Sequence, residues 1–289
     1  MKKLIILCLS MYLVSCVTSP ENSVEDVGAT TLEDAPVIKS EAKPALAQVV
    51  AEEKEESKPA PVAPPVAMLM YNNLNESIKS QNNAAIQKSA SEILMQNPKD
   101  VRGLNALAVV NYKNGRLEAA QYLLNKAILL NSASSELNGN MGLVQLAKGD
   151  KKEAVKYFRK AIQLNSKDSI SGANLGSVYI EEKDYSKALF ALEIPINNGL
   201  KDSKILNNYA IALAATGKTK EAADIYEKIL KDNSNQREVM LNYAILLIDN
   251  MQKNKEGLDL LNRLKFVGAP ADSRDTIKNL ENKAKAGLQ

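Results

Sequence analysis

From Ala67 onward, apolar residues return at the i, i+3, i+4 spacing of helices, in segments separated by short polar breaks, and the pattern recurs every 34 residues. Counting from Ala67 gives six units: 67–100, 101–134, 135–168, 169–202, 203–236 and 237–270. Each reads as two helices joined by a turn, marked by Gly115, Gly149 or Gly217 in three of them. The eighth residue of each unit is Leu74, Ala108, Gly142, Gly176, Ala210 or Ala244. The twentieth is Ile86, Ala120, Ala154, Ala188, Ala222 or Glu256, and the twenty-fourth is Ala90, Leu124, Phe158, Leu192, Tyr226 or Leu260. Antiparallel helices approach closely only where side chains are small. Gly142, Gly176, Ala120, Ala154, Ala188 and Ala222 are therefore expected at helix crossings, and the fold class is all-α.

NGNMGLVQLAKGDKKEAVKYFRKAIQLNS (138–166) is the cleanest copy of the unit. A helical hairpin of this length and pattern resembles the tetratricopeptide repeat, or TPR. The resemblance implies a superhelical solenoid of about six hairpins with a concave groove. The early tryptophan of the family is missing throughout, and its closing proline survives only as Pro98. Lys183 stands where a turn glycine is usual, and Pro195 should kink or shorten its helix before Asn198 and Gly199. The sixth unit lacks the turn glycine; a turn one residue longer would bring Gly257 to the crossing. After Pro270, Ile277, Leu280 and Ala284 share one face of a charged segment, as expected of a capping helix within 271–289.

The N-terminal region has a different pattern. MKKLIILCLSMYLVSC places two lysines before an apolar run from Leu4 to Val14, the layout of a secretory signal over residues 1–15. Leu13-Val14-Ser15-Cys16 resembles the bacterial lipobox, which implies lipidation of Cys16 and membrane attachment through that lipid. Val17 after the cysteine resembles the outer-membrane pattern of Gram-negative lipoproteins, facing the periplasm. Residues 16–66 are rich in Ala, Val, Glu, Pro and Ser, and AEEKEESKPAPVAPPV (51–66) joins a charge run to a proline cluster. This stretch reads as a disordered tether with a root-mean-square span of ~40 Å.

Charge sharpens the division. Ten acids oppose four lysines between Val17 and Val66, a net of −6; from Ala67 onward 31 Lys plus Arg oppose 24 acids, a net of +7. That field is too weak to argue for nucleic acid. There is no histidine, and Cys8 and Cys16 are the only cysteines. His-based catalysis is thereby excluded and soft-metal sites are disfavoured. Gly217-Lys218-Thr219 lacks the glycine that a phosphate-binding loop needs at position 212, which is Ala212, and follows a helix rather than a strand. Glu52-Glu53, Glu55-Glu56 and Glu181-Glu182 read as solvated charge, since adjacent helical residues do not face one another. A carboxylate-based enzyme acting on envelope glycan is the rival reading, but no converging pair of acids stands out for it; no enzyme activity, cofactor, metal or nucleotide is expected.

The sixth residue of the unit is Asn72, Ala106, Asn140, Asn174, Asn208 or Asn242. Asparagine is a poor mid-helix residue. The family resemblance puts this position on the concave face, where an amide matches a peptide's C=O and N–H. Bonding between neighbouring repeats is the other role it fits. By the same resemblance Tyr112, Leu146, Ile180, Ile211, Ile245 and Ile248 line or border the groove, some of them as core. Arg102 with Asn105, and Lys204 with Asn207, form only fragments of a carboxylate clamp. A protein or peptide is the expected partner. The build resembles pilotin lipoproteins of type IV pili, TPR lipoproteins of gliding motility, and adaptors that dock peptidoglycan hydrolases.

Overall fold

The computed structural model describes residues 65–289, so the predicted signal, Cys16 and nearly all of the tether lie outside the described residues. The described chain is all helical. Its first hairpin pairs α1 (Pro65–Lys79) with α2 (Asn83–Gln96), and its second α3 (Val101–Lys113) with α4 (Leu117–Leu130). Then follow α5 (Ser135–Ala147) with α6 (Lys151–Leu164), α7 (Ser169–Glu181) with α8 (Tyr185–Asn197), and α9 (Ser203–Ala215) with α10 (Thr219–Asp232). The sixth hairpin runs from α11 (Arg237–Ile245) through a π-helical turn, Leu246–Asn250, to α12 (Asn254–Val267), and α13 (Arg274–Ala286) closes the array. Helix begins at Pro65 rather than after the proline cluster, where the tether was expected to run on. Proline suits a first helical turn, in which no backbone N–H is needed.

Local chemistry sets these boundaries. Asp100, Ser134, Asp168 and Asp202, spaced by 34, accept backbone N–H bonds at the starts of α3, α5, α7 and α9. Asn97, Asn165 and Asn233 end α2, α6 and α10 and accept through Oδ1 from the backbone N–H two residues on. Within hairpins the turn residue is left-handed at Gln81, Gly115, Gly149, Lys183 and Gly217, with φ of 52°, 73°, 84°, 60° and 89°. Asn82, Arg116, Asp150, Asp184 and Lys218 each donate a backbone N–H to the carbonyl five residues back, closing the helix before them.

Packing explains the small residues. A Cβ on Gly142 would lie 2.6 Å from the Phe158 ring, and one on Gly176 would lie 2.4 Å from Leu192 Cγ. Ala120, Ala154, Ala188 and Ala222 are fully buried. The first hairpin inverts the sizes: Leu74 and Ile86 are large and Ala90 is small, and all three are buried. The first crossing thus carries its bulk at different positions from the others.

Pro195 shortens α8 without breaking it. The helix has 13 residues where α4, α6 and α10 have 14, and it closes at Gly199, whose φ is 80°. Pro195 is buried, and a Cβ on Gly172 would lie 3.1 Å from its Cδ.

In the sixth hairpin the π turn holds one extra residue. Left-handed backbone falls at Gln252 and the close crossing at Gly257, where a Cβ would lie 2.4 Å from Ile248 Cγ1. Leu261, one position beyond Leu260, is fully buried. Ile277, Leu280 and Ala284 of α13 join the same core, with Lys283 paired to Asp249 and Lys265 to Glu281.

The hairpins stack into two layers. Odd-numbered helices of successive repeats approach one another, as α3 to α5, α5 to α7 and α7 to α9, more closely than even-numbered ones do. In a curved stack the layer whose helices crowd is the inner one. The odd helices therefore form the concave wall.

Candidate functional site: the concave wall

The asparagine ladder lies along this wall, and four of its five amides donate a hydrogen bond within the protein. Asn140 Nδ2 donates to Asn105 Oδ1 at 2.8 Å, and Asn242 Nδ2 to Asn207 Oδ1 at 3.1 Å. Asn208 Nδ2 donates to Ser177 Oγ at 3.0 Å, so three of the bonds cross to the preceding repeat. Asn174 Nδ2 bonds the Ile170 carbonyl one turn back in its own helix, and Asn72 is exposed on α1. The suspected clamp fragments serve the same stack. Asn105 also donates to Glu136 Oε1 at 2.7 Å, and the Arg102 guanidinium lies 5.1 Å from the Tyr71 ring centre. Asn105 and Asn207 are the residues that sequence reasoning missed as ladder partners; their signal was a second asparagine just before the register in the adjoining unit.

The apolar lining divides sharply. At the twelfth repeat position Ile78 is 48% exposed, Tyr112 and Leu146 are half-buried, and Ile180, Ala214 and Ile248 are 3%, 8% and 2% exposed. The ninth position repeats the trend: Asn75 is exposed, Val109 and Leu143 are half-buried, and Ser177, Ile211 and Ile245 are buried. Ile180, Ile211, Ile245 and Ile248, expected at or near the groove, are therefore core residues. Around Ile211, Ile245 and Asn242 only a cleft of about 10 Å³ remains, roughly room for one water. Within the fourth hairpin Gly172 and Gly176 let α8 come close to α7, a Cβ on Gly172 meeting Ile194 and Pro195 and one on Gly176 meeting Leu192. Over α1, α3 and α5 the wall stays open and apolar.

Charge divides along the same line. The thirteenth position is Lys79, Lys113, Ala147, Glu181, Ala215 and Asp249. Lys79 and Lys113 are exposed, and neither side chain pairs with a described residue. Glu181 is instead bridged at 2.8 Å to Lys151, and so is more than the solvated charge expected of it. Burial raises the pKa of the Tyr112 hydroxyl, which keeps it protonated as a hydrogen-bond donor at the wall.

Among the described residues no group of three or more His, Cys, Asp or Glu gathers as for a metal ion, and no helix is long and apolar enough to cross a membrane. Gly217 is a left-handed turn residue and Lys218 precedes α10, so the Gly-Lys-Thr run is hairpin punctuation.

The stacked hairpins, small-residue crossings and left-handed turns make this fold a tetratricopeptide-repeat solenoid. Residues 140–257 match the tetratricopeptide repeat family model, and the described residues have the TPR fold. No curated protein sequence matches it significantly. Among solved structures it is similar to YrrB, described as a TPR protein with an unusual peptide-binding site, at 19% identity and a TM-score of 0.59; the match covers 68% of this chain and 97% of YrrB. The C-terminal part of a TPR protein from Cytophaga hutchinsonii matches at 18% identity and a TM-score of 0.54, over 75% of this chain and 92% of that one. PilF of Pseudomonas aeruginosa matches at 21% identity and a TM-score of 0.51, over 65% of this chain and 88% of its own. At these identities the likeness is one of fold.

Proposed function

We propose that this protein is a lipid-anchored scaffold that holds an extended segment of a partner protein against its concave wall and thereby helps to assemble an envelope machine. The observation that carries the reading is the open apolar stretch over α1, α3 and α5, where Ile78, Val109, Tyr112, Leu143 and Leu146 keep solvent access. An extended segment needs apolar contacts at intervals, and a wall of parallel helices offers them at the spacing of the repeats. The peptide-binding site described for YrrB is compatible with a peptide as the ligand class. Attachment rests on the lipobox resemblance at Cys16, and the Val17 pattern favours the outer membrane of a Gram-negative cell. A pilotin-like role toward a type IV pilus secretin is the first choice of machine, with gliding-motility and peptidoglycan-hydrolase adaptors as alternatives. In this reading the asparagine ladder ties repeats together and sets the wall's curvature.

The test is affinity capture from envelope extracts with the full chain, run beside Tyr112→Ser/Leu146→Ser. A partner held by the parent and lost from the variant, with helical circular dichroism retained, supports the wall as the site. The same partner on both overturns it. Radiolabelled palmitate incorporated by the parent but not by Cys16→Ala checks the anchor, and absence of label from both removes it.

A further inference from the structure

The open stretch carries a charge pattern that identifies what fits it. Ile78 and Lys79, and Tyr112 and Lys113, place an apolar side chain and a cation in the same last turn of α1 and of α3. On α5 the cation is Lys148, whose Nζ lies 2.7 Å from Gln121 Oε1 and 3.7 Å from Glu118. A lysine in a last helical turn also suits the helix dipole. That explanation requires cations at the same place on every odd helix, yet Glu181 and Asp249 occupy it on α7 and after α11, each paired with a lysine of a neighbouring element. Acids stand where the wall is closed. Cations without partners among the described residues stand where it is open.

Resting on the wall reading above, we infer that the occupant is a partner segment in which carboxylates alternate with apolar side chains, seated across the ends of α1, α3 and α5. Its apolar side chains meet Ile78, Tyr112 and Leu146, and its carboxylates meet Lys79 and Lys113. The opposite rim carries Arg102 and Glu136, with Glu136 already accepting from Asn105, so the unpaired positive charge is concentrated at the lysine end.

The experiment measures fluorescence anisotropy of a short labelled peptide alternating leucine and glutamate against the full-length chain. Two matched peptides replace glutamate by lysine or leucine by serine. Expected is tightest binding of the leucine–glutamate peptide, falling with added NaCl, and a loss of at least ~10-fold in Lys79→Glu/Lys113→Glu. That variant should in turn prefer the leucine–lysine peptide. Both lysines are exposed, so unchanged thermal unfolding is expected and checks the fold. Equal binding of both charged peptides to the parent, with loss in Tyr112→Ser/Leu146→Ser, overturns the charge pattern and leaves the wall in place. No binding of any peptide, with partner capture unchanged in that wall variant, overturns both. A tenfold gain on deleting residues 41–60 would make the chain's own acidic segment the occupant and overturn the proposal of a partner.

Discussion

The α1–α5 wall and the α7–α11 wall come from one repeating pattern and end in opposite states. At the twelfth repeat position Ile78 keeps nearly half its surface in water, whereas Ile180 keeps 3%. Side-chain type does not separate them, since both are isoleucine. What differs is the neighbourhood: Ile180 shares a buried cluster with Ile211 and Ala212 of α9, whereas Ile78 stays open to solvent. A TPR wall can therefore be open to solvent at one end and a core at the other.

The crossings give the largest handle on this contrast. Phe158→Ala should cost about 3–5 kcal/mol in urea unfolding, because the ring is fully buried against Gly142. Gly142→Leu alone should cost about 1–3 kcal/mol or more. Combined, they place a large residue at the eighth position and alanine at the twenty-fourth, as the first hairpin does with Leu74 and Ala90. The double variant should therefore fall short of the summed cost by at least about 1 kcal/mol. Strict additivity would show that the two hairpins cross differently. Next in size is the matched pair: Ile180→Ala should cost about 2–5 kcal/mol. Ile78→Ala, half exposed, should cost under about 1 kcal/mol. Equal losses would dissolve the distinction between the walls.

Smaller effects sharpen it. Asn138 of α5 is wholly buried; its Nδ2 donates to the Ser134 carbonyl while its Oδ1 has no partner among the described residues. The same register elsewhere holds Met70, Leu104, Gly172, Leu206 and Met240. Asn138→Leu should raise stability by about 1 kcal/mol, read as a higher urea midpoint; a fall would mean that this carbonyl is satisfied by water. Smallest is Lys183→Gly at φ 60°, where glycine removes the left-handed penalty. A gain of about 0.5 kcal/mol is expected, since glycine's unfolded-state entropy offsets part of the relief. A loss would show that the lysine side chain contributes more than its backbone costs.

Much of the fold was legible because it is written locally. The 34-residue period, the left-handed turns at Gly115, Gly149 and Gly217, and the alanines at the crossings each answer to residues within one hairpin. The asparagines ending α2, α6 and α10 carry an equally regular signal, local to the loop between hairpins and separate from the mid-helix ladder. That ladder's partners could not be read from one unit. Asn140 reaches 35 residues back to Asn105, and Asn208 reaches 31 back to Ser177, contacts that exist only after stacking. The lining failed for the same reason. Four isoleucines were expected at or near the groove, but their burial is set by other helices of the stack, as Gly257 of α12 sets it for Ile248.

The π turn at Leu246–Asn250 has a consequence for phase. Each residue added to an α-helix rotates everything after it by about 100°. An insertion in α11 should therefore have swung the following turn and crossing away from their partners. Widening one helical turn absorbs the added residue instead. Gly257 still meets Ile248, and α13 still receives its apolar face. The sixth hairpin thus tolerates a frame slip in sequence with no slip in azimuth. Removing the π turn while keeping the extra residue would aim the C-terminal cap at solvent.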